Sequence, residues 1–287
     1  MSSLEVLATG PRALVQDQGR PGLARLGVGR SGAADRSCHA LAQRVVGNRP
    51  EAAGIEVTLG GLELRASGPA LVAVTGAPVP LTVDGVPRSV GELIHLRDGS
   101  VLRLGVCERG LRAYVAVRGG LDVPPELGSR STDTLSGLGP AALRVGDVLE
   151  VGEETHALPT LDAVPVPPVA GGPVTLRIAP GPRIDWIDDP TSLSGQAWQV
   201  SSRSDRIGVR LEGAAVTRAP EFEGRELQSE GVVLGSIQVP AGGEPVLFLA
   251  DHPVVGTTRP SRNRARASAG GSDPMSVFMT APRSRPA

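Results

Sequence analysis

The chain contains no lysine, so all 29 of its basic residues are arginines. This absence excludes a Schiff base on a lysine amine. It also excludes a Walker A phosphate loop, which requires a lysine after its second glycine. Any bound phosphate must therefore be held by arginine side chains and backbone N–H groups.

Cysteine, long apolar runs and net charge are also scarce. Cys38 and Cys107 are too few for a disulfide framework, and we interpret them as reduced, buried residues. No apolar run approaches the roughly 18 residues of a membrane span, and the first residues lack the features of a signal peptide. The formal net charge of -1 creates no field that would recruit nucleic acid or an acidic membrane. We predict a cytoplasmic protein without nucleic-acid or membrane partners.

Aromatic residues make up only 2% of the chain, whereas it has 38 glycines and 26 prolines. Because 40% of the residues are apolar, many turns between short strands explain this composition better than disorder does. Runs rich in Val, Leu and Ile alternate with turn residues, which is typical of β-barrels or sandwiches. The predicted strands are 4–9, 13–17, 54–59, 62–66, 70–75, 81–83, 93–96, 101–106, 112–118, 147–151, 174–179, 208–211, 232–239 and 245–250.

One longer helix is predicted after Ala34, opened by Ser31 or by the backbone around Ala33 and stopped by Gly47-Asn48. Its apolar residues share one helical face: Cys38, Leu41, Ala42, Val45 and Val46. A second feature is the segment 156–173, which holds five prolines and can sustain neither a helix nor a central strand. We predict a first domain at 1–155, a linker at 156–173 and a second domain at 174–255.

Polar residues beside glycines mark the candidate site in the first domain. Gln16 and Asp17 follow a strand, where Asp17 either caps the turn or lies at the edge of a cleft. Ser31-Gly32 precedes the helix, whose N-terminus suits phosphate or carboxylate, although Ser31 would equally serve as an N-cap. Arg130 and Ser131 lie in a glycine-led, hydroxyl-rich loop, and arginine binds carboxylate or phosphate with two parallel hydrogen bonds.

The second domain offers further candidates. Asp205-Arg206 is either an ion pair that shapes its loop or an anion site in which Asp205 orients Arg206. Glu230 and Gln238 flank the apolar run 232–239, where Glu230 suits a general base or cation ligand and Gln238 either orients a substrate or satisfies a loop. Asp251-His252 would support proton transfer. The four histidines lack the spacing of metal ligands, so we predict no metal site.

Taken in order, three segments resemble the family that comprises allophanate hydrolase subunit 2 and the C subunit of 5-oxoprolinase. They are Arg30-Ser31-Gly32-Ala33-Ala34-Asp35-Arg36, Ser204-Asp205-Arg206-Ile207-Gly208-Val209-Arg210-Leu211-Glu212-Gly213 and Ser229-Glu230-Gly231-Val232-Val233-Leu234-Gly235-Ser236-Ile237-Gln238-Val239-Pro240. The resemblance runs from about Leu4 to about Val255. It implies two cyclophilin-like β-barrel subdomains with a few short helices and an active cleft between them.

The resemblance also implies ATP-dependent hydrolysis of 5-oxoproline (pyroglutamate) to glutamate, shared with a B subunit and an A subunit. In that function Arg206, Glu230, Gln238 and Asp251 would be catalytic, with ATP, and Mg with it, as cofactor of the complex. The substrate-binding residues would be Gln16, Asp17, Ser31, Gly32, Arg130, Ser131 and Asp205.

Two other functions of the family remain open. In the carboxyltransferase branch a carboxyl group moves from biotin to a urea-like amide, and the biotin carrier would be a separate chain. In the regulatory branch the chain would bind a kinase-inhibitor-type B subunit without catalysis. The segment 256–287 departs from the family pattern, being rich in Arg, Ser, Ala and Pro. We expect an atypical, disordered tail, the product of a shifted reading frame, which leaves the second barrel incomplete.

Overall fold

The computed structural model describes residues 2–160, 162–169, 171–225 and 230–254, together with the backbone of Arg264–Ala267 and Met275–Thr280. The fold is mainly β with short helices, as predicted. The chain forms two compact units, Met1–Pro21 with Arg30–Ala170 and Gly22–Gly29 with Gly171–Ala287. No helix of the described residues is long and apolar enough to cross a membrane.

The first unit contains two antiparallel sheets. Its elements are β1 (Ser3–Thr9), β2 (Arg12–Gln16), α1 (Arg36–Val45), β3 (Gly54–Thr58), β4 (Leu62–Ser67), β5 (Ala70–Gly76), β6 (Leu81–Val83), β7 (Val86–Arg88), β8 (Ile94–Leu96), β9 (Val101–Leu104), β10 (Arg112–Val117) and β11 (Val148–Glu150). One sheet has the order β11-β1-β4-β9-β6-β7 and the other β2-β3-β10-β5-β8. Alternating apolar residues of both sheets form one core, which explains the period-2 pattern of strands such as β4.

Helix α1 packs against the other face of the five-stranded sheet. The sequence predicted this helix, and its inner face contacts residues of β5 and β10, including Ala73, Tyr114 and Ala116. The predicted opening at Ser31 or Ala33 is wrong, because the N-cap is Asp35, whose carboxylate accepts from the Cys38 N–H at 3.0 Å. Ser31 is unavailable for capping because its hydroxyl donates to Thr132 O at 3.1 Å.

The proline-rich segment 156–173 contains the division between the units, which falls between Ala170 and Gly171. Its first half is held on the first unit by backbone hydrogen bonds. His156 N donates to Gly47 O at 2.8 Å, and Leu93 N donates to Asp162 O at 2.7 Å. Ala163 also forms a bridge with Glu92. Prolines suit this path because an extended segment at the edge of a sheet needs few ladder N–H groups.

The second unit is a closed barrel. Its strands are β12 (Val174–Ala179), β13 (Ala197–Val200), β14 (Gly208–Glu212), β15 (Ser236–Gln238), β16 (Val246–Phe248), β17 (Arg264–Ala267) and β18 (Met275–Thr280). They follow one another around the barrel in the order β12-β17-β15-β16-β14-β13-β18. Short 3-10 helices span Ile184–Trp186, Pro190–Leu193 and Pro220–Phe222. A further one, Ala24–Leu26, lies in Gly22–Gly29, the N-terminal segment that belongs to this unit.

The strand predicted at 232–239 is shorter in the structure. Only Ser236–Gln238 forms a strand, because Gly235 has φ +83° and Ser236 N donates to Val233 O at 3.0 Å. This turn interrupts the apolar run that suggested one long strand.

The tail predicted at 256–287 lies largely outside the described residues. The exceptions are β17 and β18, whose backbones are described. β17 pairs with β12 and β15, whereas β18 pairs with β12 and β13, the last of these in parallel.

Candidate functional site

In the first unit, the buried carboxylate of Asp17 organises the loop that follows Gly128. Its Oδ1 accepts from the Ser129 hydroxyl at 2.7 Å, from the Ser131 hydroxyl at 2.5 Å and from Gly19 N at 2.7 Å. Its Oδ2 accepts from Arg130 N at 2.6 Å. The bond to Gly19 N is the turn cap, one of the two roles that the sequence left open for Asp17. Asp17 therefore fixes the backbone of the residue that carries the Arg130 side chain.

Further buried side chains hold the same loop through its carbonyl groups. Gln16 Nε2 and Ser31 Oγ both donate to Thr132 O, at 2.8 and 3.1 Å. Arg20 Nη2 donates to Ser131 O at 2.5 Å. Two buried atoms, Gln16 Oε1 and Arg20 Nη1, find no hydrogen-bond partner among the described residues. The structure thus brings Gln16, Asp17, Ser31 and Ser131 together, as a buried polar cluster around one loop.

Gly32 contributes to this cluster through close packing. Its φ is +88°, and a Cβ atom on it would lie only 2.7 Å from Gly19 N. The two backbone segments can meet only if this residue has no side chain. In this structure the glycine allows contact between protein segments, whereas the sequence had suggested the approach of a ligand.

A network that the sequence did not predict joins the start of α1 to β3 and β10. Glu56 is buried, and its Oε2 accepts from Ala34 N at 2.8 Å and from the Tyr114 hydroxyl at 3.1 Å. The Tyr114 oxygen accepts from Asp35 N at 2.7 Å, and Arg112 Nε lies 3.1 Å from Glu56 Oε1. A glutamate within the otherwise apolar run of β3 was the available signal for this network.

His39 lies buried on the inner face of α1, where Gln16 O is 3.0 Å from its Nε2 and Gln18 Nε2 is 3.1 Å from its Nδ1. Burial lowers the pKa of His39, against the opposing effects of the Gln16 hydrogen bond and of the charges of Asp17 and Glu56. The neutral imidazole is therefore the form that this environment favours.

Arg130 is the candidate in the first unit whose side chain lines a cleft. Its Nε donates to Val123 O at 2.6 Å, and its amide is held by Asp17. The cleft, the Arg130 cleft below, has a volume of about 770 Å³. Its described lining residues are Arg49, Glu51, Ala52, Ala53, Gly119, Gly120, Leu121, Asp122, Arg130, Glu150, Val151, Gly152, Glu153 and Glu154.

In the second unit, Arg206 and Asp251 form a buried ion pair. Arg206 Nε and Nη2 donate to the two Asp251 carboxylate oxygens, both at 2.9 Å, and Asp251 N donates to Arg206 O at 3.0 Å. The side chains are 2% and 0% exposed, so each charge is compensated inside the protein by the opposite charge beside it. The pair joins the residues just before β14 to those just after β16.

The remaining candidates in the second unit have separate surroundings. Asp205 Oδ1 accepts from Ile207 N at 2.8 Å and from Gly208 N at 3.1 Å, so this carboxylate stabilises its own turn. Glu230 forms a half-buried ion pair with Arg183. Gln238 is half-buried at the end of β15. Arg183 was not among the candidates that we selected from the sequence.

No group of three or more His, Cys, Asp and Glu residues that could hold a metal ion occurs in the described part of the chain.

Both cysteines are free thiols. Burial raises the pKa of Cys38 to about 12, and the Asp35 carboxylate adds to this effect. The candidates thus include a polar cluster beside a cleft in the first unit, and a buried and a half-buried ion pair in the second.

Comparison with known proteins places this architecture in a family. A family model described as carboxyltransferase domain, subdomain A and B, matches residues 26–257. The C subunit of 5-oxoprolinase from Escherichia coli strain K12 is 33% identical over 258 residues, which cover 88% of this chain and 81% of that protein. A urea amidolyase of Lachancea kluyveri is 32% identical over 280 residues, which cover 88% of this chain but only 15% of that protein. The solved structure of the urea amidolyase of K. lactis has a TM-score of 0.81 and 30% identity, with coverage of 96% of this chain and 18% of that one.

Proposed function

This chain belongs to the family of the carboxyltransferase domain, subdomain A and B, and we propose that it is the C subunit of an ATP-dependent 5-oxoprolinase. The observation that carries the proposal is the similarity to the C subunit of a known 5-oxoprolinase over most of both chains. The urea amidolyase relatives, by contrast, are matched over a small share of their length. The complex would contain separate A and B subunits and act in the cytoplasm.

The reaction opens the amide bond of an unstrained lactam, which explains a requirement for ATP. Phosphorylation of the lactam oxygen by ATP, with release of ADP, would make the ring carbon electrophilic enough for attack by water. The C–N bond would then break as the ring nitrogen takes up a proton, and hydrolysis of the resulting acyl phosphate would release phosphate and glutamate. This chain would contribute binding and orientation. Arg130 suits the substrate carboxylate, because Asp17 and Val123 O fix its position while its side chain lines a cleft. Since the chain has no lysine, arginine and backbone N–H groups would also bind any phosphoryl charge here.

The second-unit candidates receive more specific roles in this proposal. Arg206 and Asp251 act as a pair that holds the ends of two strands in place, and Asp205 stabilises the turn that presents Arg206. The ion pair of Glu230 with Arg183 is partly exposed. Glu230 would therefore be able to release Arg183 and bind a substrate group or accept a proton. Gln238 would orient a carbonyl or a water molecule. Gln16, Ser31, Gly32 and Ser131 support the loop of Arg130.

The similarity to urea amidolyases favours a second candidate function, transfer of a carboxyl group from biotin to a urea-like amide. The same arginines would then bind the carboxylate being transferred. Because this chain contains no lysine, biotin would have to be attached to another chain.

The test is glutamate formation from 5-oxoproline by this chain mixed with the A and B subunits of its own organism. We expect activity that requires ATP and all three chains. Arg130→Gln should raise the KM for 5-oxoproline by about tenfold or more, whereas the exposed Arg109→Gln should leave it unchanged. An assembled complex that is inactive on 5-oxoproline but consumes urea, bicarbonate and ATP with a biotin carrier would favour the second function. A complex inactive in both assays would indicate the regulatory branch.

A further inference from the structure

Besides Arg130 itself, the lining residues of the Arg130 cleft come from three segments of the first unit. They are residues 49–53 after α1, residues 119–122 after β10, and residues 150–154 at the end of β11. Glycines allow the last two to touch, since a Cβ atom on Gly119 would lie 1.8 Å from Gly152 O. Backbone bonds then fix the contact, with Gly152 N donating to Gly120 O at 2.9 Å. Hydrogen-bonded backbone therefore forms this part of the cleft.

The charges of this cleft are unevenly paired. Arg49 and Glu154 form an exposed ion pair at 3.1 Å. Arg130 is half-buried and forms no ion pair with any carboxylate of the described residues, even though its cleft is rich in acids. The acidic lining residues without an ion-pair partner in the described part of the chain are Glu51, Asp122, Glu150 and Glu153.

Backbone groups connect Arg130 to the segments that carry two of these acids. Its Nε is bonded to Val123 O, so the guanidinium lies beside the residue that follows Asp122. Asp122 N donates to Glu150 O at 2.9 Å, which brings these two acidic residues together on the same wall. Arg130, Asp122 and Glu150 line the same cleft, so a ligand bound there meets both the positive and the negative charge.

We propose that the Arg130 cleft binds the head group of an α-amino acid, with the carboxylate on Arg130 and the ammonium group on Asp122 and Glu150. A guanidinium offers paired donors that match a carboxylate, and an ammonium group offers three donors to carboxylate oxygens. A ligand with negative charge alone would still pair with Arg130 but would be repelled by the acidic wall formed by Asp122 and Glu150, so it would bind more weakly than an amino acid.

This inference rests on the proposed function for the identity of the amino acid. Hydrolysis of 5-oxoproline converts a neutral lactam nitrogen into the ammonium group of glutamate. Substrate and product share the α-carboxylate, so Arg130 would bind both. The acidic wall would bind only the ammonium group of the product. The cleft thus favours the ring-opened product over the lactam.

The experiment is isothermal titration of the isolated full-length chain with L-glutamate, 5-oxoproline and glutarate, which carries carboxylates but no ammonium group. We expect L-glutamate to bind more tightly than either of the others, by up to about fivefold, as one added ion pair with exposed carboxylates implies. Arg130→Gln should weaken glutamate binding about tenfold or more. Asp122→Asn should bring the affinity for glutamate close to that for glutarate. Arg109→Gln is the matched surface control.

Equal affinities for glutamate and glutarate, an unchanged affinity in Arg130→Gln, or no binding of any of the three would overturn the inference. These outcomes are distinct from failure of the proposed function. A three-chain complex that forms glutamate while this chain binds no amino acid would retain the function and remove the cleft assignment. Glutamate binding through Arg130 in an inactive complex would retain the cleft assignment and remove the proposed function.

Discussion

At the scale of single residues, Asp17 illustrates how one buried carboxylate can organise a distant loop. Replacing Asp17 by Asn removes the charge and places an amide N–H group against hydrogen-bond donors. We expect Asp17→Asn to lower the free energy of unfolding by roughly 2–3 kcal/mol, as for lost hydrogen bonds to a buried charged group. Urea denaturation measures this change, with the exposed Glu108→Gln as a control. A loss as small as that of the control would contradict the role assigned to Asp17.

The pair Arg206–Asp251 gives a second prediction at this scale. Arg206→Met and Asp251→Leu should each destabilise the protein by about 3–5 kcal/mol, because each removes the opposite charge that lies beside a buried ionised side chain. The double variant should be more stable than either single variant, since it leaves neither charge unpaired. Chemical denaturation of the four proteins in a double-mutant cycle tests this coupling. Simple additivity of the two losses would contradict it.

Local chemistry made part of this site predictable from the sequence. The turn cap of Asp17 on Gly19 involves residues two apart, and it is one of the two alternatives that the sequence indicated. The bonds of Asp17 to Ser129 and Ser131 span 112 and 114 residues and depend on how the strands pair. No local pattern encodes such a partner. For the same reason the sequence could not show that Arg206 pairs with Asp251, 45 residues away.

At the scale of elements, α1 carries a pH dependence through His39. Because its pKa is lowered in the folded protein, the unfolded chain binds the proton more readily. Stability is therefore complete above the ordinary histidine pKa of about 6.5 and falls below it, by up to about 1.4 kcal/mol per pH unit. Urea denaturation of the wild type between pH 7.5 and about 5 should show this loss.

The control for this prediction is His95, which lies on β8 of the sheet against which α1 packs. His39→Gln should flatten the pH dependence, whereas His95→Gln, at an exposed position of β8, should retain it. An equal slope in all three proteins would show that His39 is not the titrating group.

Sequence reasoning identified α1 because its apolar stripe and its glycine stop are local signals. It misplaced the first turn, since the hydroxyl of Ser31 is used by Thr132 O and Asp35 takes the N-cap. The strand predicted at 232–239 was longer than β15, because an apolar run does not reveal the turn at Gly235. The buried polar residues of α1, His39 and Gln43, follow from packing against β2 and β3 and have no signature in the helix itself.

At the scale of the whole molecule, the closed barrel of the second unit depends on two strands near the C-terminus. Deletion of residues 256–287 would remove β17 and β18 and leave edges of β12, β13 and β15 without their partners. Exposed strand edges promote association, so we expect the truncated protein to form soluble aggregates. Size-exclusion chromatography with light scattering measures this.

Deletion of residues 281–287 alone is the matched control, since it removes no described strand. If the longer deletion behaves like the control, the barrel does not depend on these strands. That result would instead support the sequence-based expectation that the segment 256–287 is a disordered tail.

The proposed activity belongs to the molecule as a member of a complex, and the most direct measurement of it is 5-oxoproline-dependent ADP release. The A and B subunits of the same organism would be assayed with and without this chain, with glutamate determined in parallel. We predict that adding the chain produces ADP and glutamate in equal amounts. A three-chain complex that is shown to form and releases no ADP in response to 5-oxoproline would contradict the proposed function.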